Sequence, residues 1–229
     1  MSAAPARLAF HDITPAAPLA GTVIWLHGLG ADGYDFVPIV DELALPPDLP
    51  LRFVFPHAPE IPVTINGGVV MPAWYDVAYP DLRRKEDETG IHASQRQVAR
   101  LIDEETAHGV GSERILIAGF SQGGAIALQT ALRYPRPLAG VAALSSYLPL
   151  ANTGAAEAAP ANRGLPVFMG HGREDPIVPL AAGIASRDKL RHAGYPVTWR
   201  DYAMPHAVCG KEIQDLRTWL VGVYRALTG

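Results

Sequence analysis

Short, almost unbroken apolar runs recur along this chain: TVIWLH from Thr22, LRFVF from Leu51, RILIAGF from Arg114, LAGVAALSS from Leu138, LPVFMGHG from Leu165 and VTWRDYAM from Val197. A strand that is apolar on both sides has to be covered on both faces. Helix-patterned segments separate most of the runs: GYDFVPIVDELAL from Gly33, SQRQVARLIDEETAHG from Ser94, GGAIALQTALRY from Gly123, LAAGIASRDKLRHAG from Leu180 and the closing EIQDLRTWLVGVYRALTG. Gly109 is placed to terminate the second of these, and Pro135 lies just beyond the third. Strands alternating with helices predict an α/β fold with a mostly parallel central sheet, helices on both faces and right-handed crossovers.

The chain has 229 residues, 48% of them hydrophobic and 18% charged, which suits one α/β domain over residues 1–229 and excludes wholesale disorder. Its net charge is −4. A nucleic-acid partner would call for a basic stripe, which is missing. No run approaches the roughly 18 to 20 apolar residues that would cross a bilayer, so no integral membrane association is expected. MSAAPARLAF lacks a charged leader followed by a long apolar stretch, so it does not read as a signal peptide. The lone Cys209 cannot staple the fold and fits a reducing compartment. The expected location is the cytoplasm.

One region breaks the rhythm. From Ala58 to Gly90 the chain follows neither period, and within it Asn66-Gly67, between VTI and VVM, signals a hairpin. A long irregular insertion is either a functional wall or a variable surface excursion. Ala151 to Gly164, rich in Ala, Gly and Pro, reads as a surface loop.

The chemistry concentrates at the ends of the apolar runs. After RILIA comes GFSQGG, Gly119 to Gly124, which matches G-x-S-x-G. In that motif a sharp strand-to-helix turn lifts a serine hydroxyl clear of the sheet, at a helix N-terminus that favours negative charge. The strand before it and the helix after it are both predicted here. The plain alternative is that Ser121 caps an ordinary helix. A serine needs a base to take its proton. His206, in MPHAVCG, follows the last strand and so lies at the same edge of a parallel sheet as Ser121. His171, in FMGHGREDP, is the main rival; His27 and His57 also stand at strand ends, where a hydrogen-bonded structural imidazole is the plain reading. His11, His92, His108 and His192 read as solvated. The base in turn needs an acid to hold its tautomer. Asp175, in GREDPIVP, follows the strand before that of His206; Glu174 and Asp201 are its rivals.

HGLGADG, His27 to Gly33, spells G-x-G-x-x-G after a strand. A dinucleotide-binding reading requires an acid at the end of the next strand. That strand, LRFVF, ends in Pro56 and His57, and Asp48 lies at its wrong end. The same loop would serve a hydrolase by aiming a backbone N–H at an oxyanion. Leu29 is the candidate donor there, and Gln122, after the serine, is the other.

HGLGADG, PVTINGG, MPAWYD, GFSQGG, GREDPIVP and MPHAVCG stand in the order seen in the phospholipase/carboxylesterase family of α/β-hydrolases, which the chain resembles from about Gly21 to its end. PVTINGG and PAWYD are similar to the wording of the bacterial carboxylesterases more than to that of the acyl-protein thioesterases. The resemblance implies an α/β-hydrolase fold, Ser121, Asp175 and His206 as the triad, and Leu29 and Gln122 as oxyanion donors. It further implies that the insertion shapes an acyl groove near Trp74, and it brings a homodimer as an option. Pro205 stands where the family often has glycine.

These readings lead to an ester hydrolase that passes through an acyl-enzyme and needs no metal or other cofactor. With only the 151–164 loop available in place of a lid domain, small-molecule esters of short to medium acyl chain are the expected substrates. Trp74, Tyr75, Met71 and Val178 are candidate groove walls, and each could equally be core. An acyl-protein thioesterase or lysophospholipase would use the same machinery. From other classes, a non-catalytic binding domain on a hydrolase scaffold and a nucleotide-binding oxidoreductase remain as alternatives.

Overall fold

Successive side chains of a strand point to opposite faces of a sheet, and this sorts the core into two layers. Along β2 (Gly21–Leu26), Ile24 and Leu26 enter one layer, while Val23 and Trp25 enter the other. Along β6 (Ile115–Phe120), Ile115 and Ile117 join the first, and Leu116 and Ala118 the second. Both sides of these strands are therefore covered. The computed structural model describes residues 7–80, 85–153 and 157–227. The readings of the N-terminal leader and of parts of the insertion, of the 151–164 loop and of the closing helix lie outside them.

The remaining strands are β1 (Phe10–Ile13), β3 (Leu51–Pro56), β4 (Glu60–Val63), β5 (Val69–Pro72), β7 (Gly140–Leu144), β8 (Val167–Gly172) and β9 (Val197–Tyr202). Seven of the nine described strands form one sheet in the order β1-β3-β2-β6-β7-β8-β9. Only β1 runs antiparallel to its neighbour in that sheet. After β2 the chain builds outward to β3, then returns to place β6 on the other side of β2. The order thus reverses between β2 and β6, and ligands of open α/β sheets bind at the carboxyl ends of the strands flanking such a point.

The register makes this edge explicit. Leu26 pairs with Gly119, Gly119 with Ala143, Ala143 with Met169, and Met169 with Trp199, in one row across five strands. Leu29, Ser121, Asp175 and His206 all follow that row within a few residues, on loops leaving the same edge.

Helix α2 (Glu88–Ala107), α3 (Gln122–Arg133) and α4 (Leu180–His192) cover one face through residues such as Val98, Ile126 and Leu190. The short α1 (Ile39–Leu43) and the C-terminal α5 (Gly210–Ala226) cover the other through Leu43, Leu216 and Leu220. Among the described residues, no helix is long and apolar enough to cross a membrane.

Three local differences from the sequence expectation have physical causes. The helix expected from Gly33 is a series of turns that becomes helical only at Ile39, with Pro38 at its N-cap position. Helix α2 begins at Glu88 rather than Ser94, because the Asp87 side chain accepts the Gly90 N–H and starts the helix within the insertion. The hairpin of β4 and β5 is present, but Val63 pairs with Val69, so its connection is longer than Asn-Gly alone. A 3-10 turn, Thr64–Asn66, is followed by Gly67 and Gly68 at φ 69° and 79°, a conformation that suits glycine. Strand β1, half-buried at the sheet edge, carried no signal strong enough to predict.

Beneath the loop bearing His206, the first turn of α5 buries Glu212 completely. A Cβ on Gly170 of β8 would come within 2.0 Å of its Oε1. Neither carboxyl oxygen meets a well-formed hydrogen bond. Burial pushes the Glu212 pKa up to about 8; the Cys209 N–H opposes this and Asp215 adds to it. In the unfolded chain the same group ionises near 4.5. The unfolded state therefore loses its proton first, and stability falls as pH rises from about 4.5 to about 8, then levels. Glu212→Gln should be more stable than the parent at pH 8 by about 2–4 kcal/mol, with the gap closing near pH 4.5. Urea denaturation at the two pH values checks this; an equal gap at both would contradict it.

Candidate active site

A single residue separates the end of β6 from the start of α3, and the backbone has to reverse there. That residue, Ser121, has φ 54° and ψ −120°, a region that residues with a Cβ seldom occupy. Its N–H donates to Leu144 O at 2.9 Å, and its carbonyl accepts the Ser146 hydroxyl at 2.7 Å, so both sides of the strained residue are held. The glycines around it allow close backbone packing. A Cβ on Gly123 would lie 2.3 Å from Leu26 O, and one on Gly119 would lie 2.4 Å from the Gly123 carbonyl carbon.

The turn presents Ser121 Oγ 2.9 Å from His206 Nε2, and His206 Nδ1 lies 2.7 Å from Asp175 Oδ2. The Asp175 side chain is buried, and its Oδ1 accepts the N–H groups of Ile177 and Val178, each at 2.8 Å. An ionised carboxylate only accepts hydrogen bonds. A neutral His206 therefore donates from Nδ1, which leaves the Nε2 lone pair to take the serine proton. The Phe120 ring lies 4.7 Å from the imidazole, centroid to centroid, and supports one face of it.

The rival residues lie elsewhere. His171 is buried behind Asp175, donates from Nε2 to Val178 O at 2.8 Å and stays 3.7 Å from Asp175 Oδ2. Burial lowers its pKa, so it sits as a neutral brace under the acid loop. Asp201 pairs with Arg173 at the surface, 2.8 Å away. Glu174 is exposed. His27 is a structural imidazole: its Nε2 accepts the Ala58 N–H at 3.0 Å, so its Nδ1 carries the proton and donates to Gly28 O at 2.8 Å. His57 Nδ1 accepts the Gly33 N–H at 3.1 Å.

Leu29 and Gln122 line the same cavity as Ser121 and His206. Among the described residues, the backbone N–H of neither is taken by another group. The Leu29 loop is fixed from below, since Gly30 N–H donates to Pro72 O at 2.8 Å and the Trp74 indole donates to His27 O at 2.9 Å. This corrects the expectation for two of the groove walls. Trp74 is 2% exposed and does not reach the cavity, because its indole N–H is spent on the loop carbonyl. Met71 lies beneath Gly30, with its sulfur accepting from Asn66 Nδ2 at 3.3 Å. Tyr75 and Val178 do line the cavity, whose volume is about 540 Å³. Ile65, Val77, Tyr147 and Ile177 complete much of its apolar wall. Sequence reasoning passed over these four. Tyr147 follows β7 at the active edge, and Ile177 adjoins Asp175, so position at a strand's carboxyl end was the available signal.

The model of the phospholipase/carboxylesterase family matches residues 11–223. The chain belongs to that family. It is a serine hydrolase with the α/β-hydrolase fold. Acyl-protein thioesterase 1 of Neurospora crassa is 42% identical over 209 residues, covering 87% of this chain and 85% of the relative. The thioesterase of the same name from Gibberella zeae is 39% identical over 218 residues, covering 91% and 93%. Among solved structures, acyl-protein thioesterase 2 of Zea mays superposes with a TM-score of 0.83 at 29% identity, over 94% of this chain and 99% of that one.

The close packing of the turn in this family member can be tested directly. Gly123→Ala forces a methyl against the carbonyls of Leu26 and His27 and should cost about 1–3 kcal/mol of stability. Urea denaturation reads this loss, and an unchanged midpoint would mean the turn is loosely packed.

Proposed function

We propose that this single-domain serine hydrolase cleaves carboxylic esters of short to medium acyl chain through an acyl-enzyme on Ser121. The observation that carries this reading is the hydrogen-bonded series Ser121–His206–Asp175 opening on a largely apolar cavity of about 540 Å³. Pockets of this size hold ligands of modest length.

The chemistry runs in two halves. His206 Nε2 takes the Ser121 proton as Oγ bonds to the ester carbonyl carbon. The carbonyl oxygen gains the negative charge, and the N–H groups of Leu29 and Gln122 stabilise it. The imidazolium gives its proton to the leaving alcohol as the C–O bond breaks, which leaves the acyl group on Ser121. Water then attacks the acyl carbon, losing a proton to His206, and the collapse returns that proton to Ser121 and frees the acid. Asp175 holds the imidazole tautomer and stabilises the imidazolium.

A second reading is favoured by the names of the curated relatives: the scissile bond is a thioester on an acylated protein, cleaved by the same groups. We further place the enzyme in the cytoplasm, on its single cysteine.

A fluorophosphonate probe should label the wild type and not Ser121→Ala, and equal labelling of both would reject the nucleophile. Asp175→Asn should lower kcat roughly 10⁴-fold, since the imidazole would lose its tautomer control. A panel of nitrophenyl esters from acetate to palmitate, run beside matched thioesters, should peak at short to medium chains. A maximum at palmitate would contradict the proposed substrate range.

A further inference from the structure

The reaction proposed above uses only the backbone N–H of Gln122, yet both ends of its side-chain amide are hydrogen-bonded. Gln122 is 4% exposed. Its Oε1 accepts the Trp74 N–H at 2.8 Å, and its Nε2 donates to Tyr75 O at 2.7 Å. The partners fix the orientation of the amide, because a backbone N–H needs an acceptor and a backbone carbonyl needs a donor. The residue after the nucleophile is thus clamped across its whole amide to two consecutive residues of the insertion.

Those residues matter to the cavity. The Tyr75 ring lines it, and the Tyr75 hydroxyl meets the Tyr147 hydroxyl, from the loop after β7, at 2.9 Å. Burial is the main reason both hydroxyls titrate higher than an ordinary tyrosine, Tyr147 at about 12, so both keep their protons at neutral pH. Together the two rings close one wall of the cavity. The wall is held to the sheet through Tyr147 and to the strained turn through Gln122. Ser94 adds a third attachment, donating its hydroxyl to the Trp74 carbonyl.

We propose that Gln122 is a positioning residue whose side chain sets acyl-chain preference by holding the Tyr75–Tyr147 wall at a fixed distance from Ser121. This rests on the ester-hydrolase reading above. An acetyl group on Ser121 ends close to the serine, whereas an octanoyl chain extends into the cavity that Tyr75 and Tyr147 line. Glutamate and methionine both keep the backbone N–H proposed to face the oxyanion, so these substitutions act on the clamp and not on the donor itself.

The test compares nitrophenyl acetate and nitrophenyl octanoate on the wild type, Gln122→Glu, Gln122→Met and Tyr75→Ala. The glutamate keeps the acceptor for Trp74 but sets a carboxylate against the Tyr75 carbonyl; the methionine removes both bonds at similar size. In both Gln122 variants kcat/KM for octanoate should fall about tenfold more than for acetate, chiefly through KM. Tyr75→Ala should reproduce this selective loss. An equal loss on both esters, or no loss, would overturn the role of Gln122 while leaving the nucleophile intact. A Gln122→Glu chain that fails to fold would also overturn it, since the clamp would then serve the fold and not the wall. Absence of labelling in the wild type would instead reject the reading of the site on which the proposal stands.

Discussion

The site depends on one backbone conformation, the positive φ of Ser121. A residue with a Cβ held in such a region costs about 1–3 kcal/mol and persists only where its surroundings over-determine it. Here they do. Leu144 and Ser146 bind its N–H and C=O, and the glycines at 119 and 123 let β6, α3 and the end of β2 approach to near contact. A relaxed turn would swing the hydroxyl away from His206 and remove Gln122 from the first turn of α3. The strain is therefore what brings the serine oxygen, the imidazole and the helix N-terminus to one place.

The turn is also the point at which the other loops are tied together. His27 follows β2, accepts the Ala58 N–H, and lends its carbonyl to the Trp74 indole; Gln122 binds the backbone of Trp74 and Tyr75; Gly30 binds Pro72. The bonds made by His27, Trp74 and Gln122 are buried, where a missing partner is costly and a complete set confers rigidity. Beyond the β4–β5 ladder, the insertion backbone at Trp74 and Tyr75 is satisfied by the Gln122 side chain rather than by a strand partner. The parts that form the cavity wall are thus fastened to the turn that holds Ser121.

Most of the sheet was legible in the sequence because its strands are buried on both faces and read as continuous apolar runs. Ser121, Asp175 and His206 could be placed at one edge from chain order alone, since a parallel sheet sends every following loop to the same side. What could not be read depends on contacts distant in sequence. Strand β1 is a short half-buried edge strand and gives no such run. Trp74 has the look of a groove wall, an aromatic in an irregular insertion beside a Tyr, and nothing local reveals that its indole N–H is committed to a carbonyl 47 residues earlier. Met71 misled for the same reason. Ile177, 57% exposed, reads as a stray surface apolar residue until the fold sets it over the cavity.

The distinction between an ester and a thioester turns on the leaving group rather than on the nucleophile. A thiol with a pKa near 8.5 departs readily as thiolate, whereas an alcohol must be protonated as its bond to carbon breaks. On the proposed reading the His206 imidazolium supplies that proton while Asp175 stabilises it, so geometry adequate for the harder ester suffices for the easier thioester. Selection between the two then falls to what the walls accept. Ile65 and Ile177 are exposed apolar residues at the cavity, while Tyr75 and Tyr147 close it from within. On the proposed reading the inner wall meets the acyl chain and the open rim meets whatever carries it, so acyl length and carrier identity would be read by different residues on one catalytic frame.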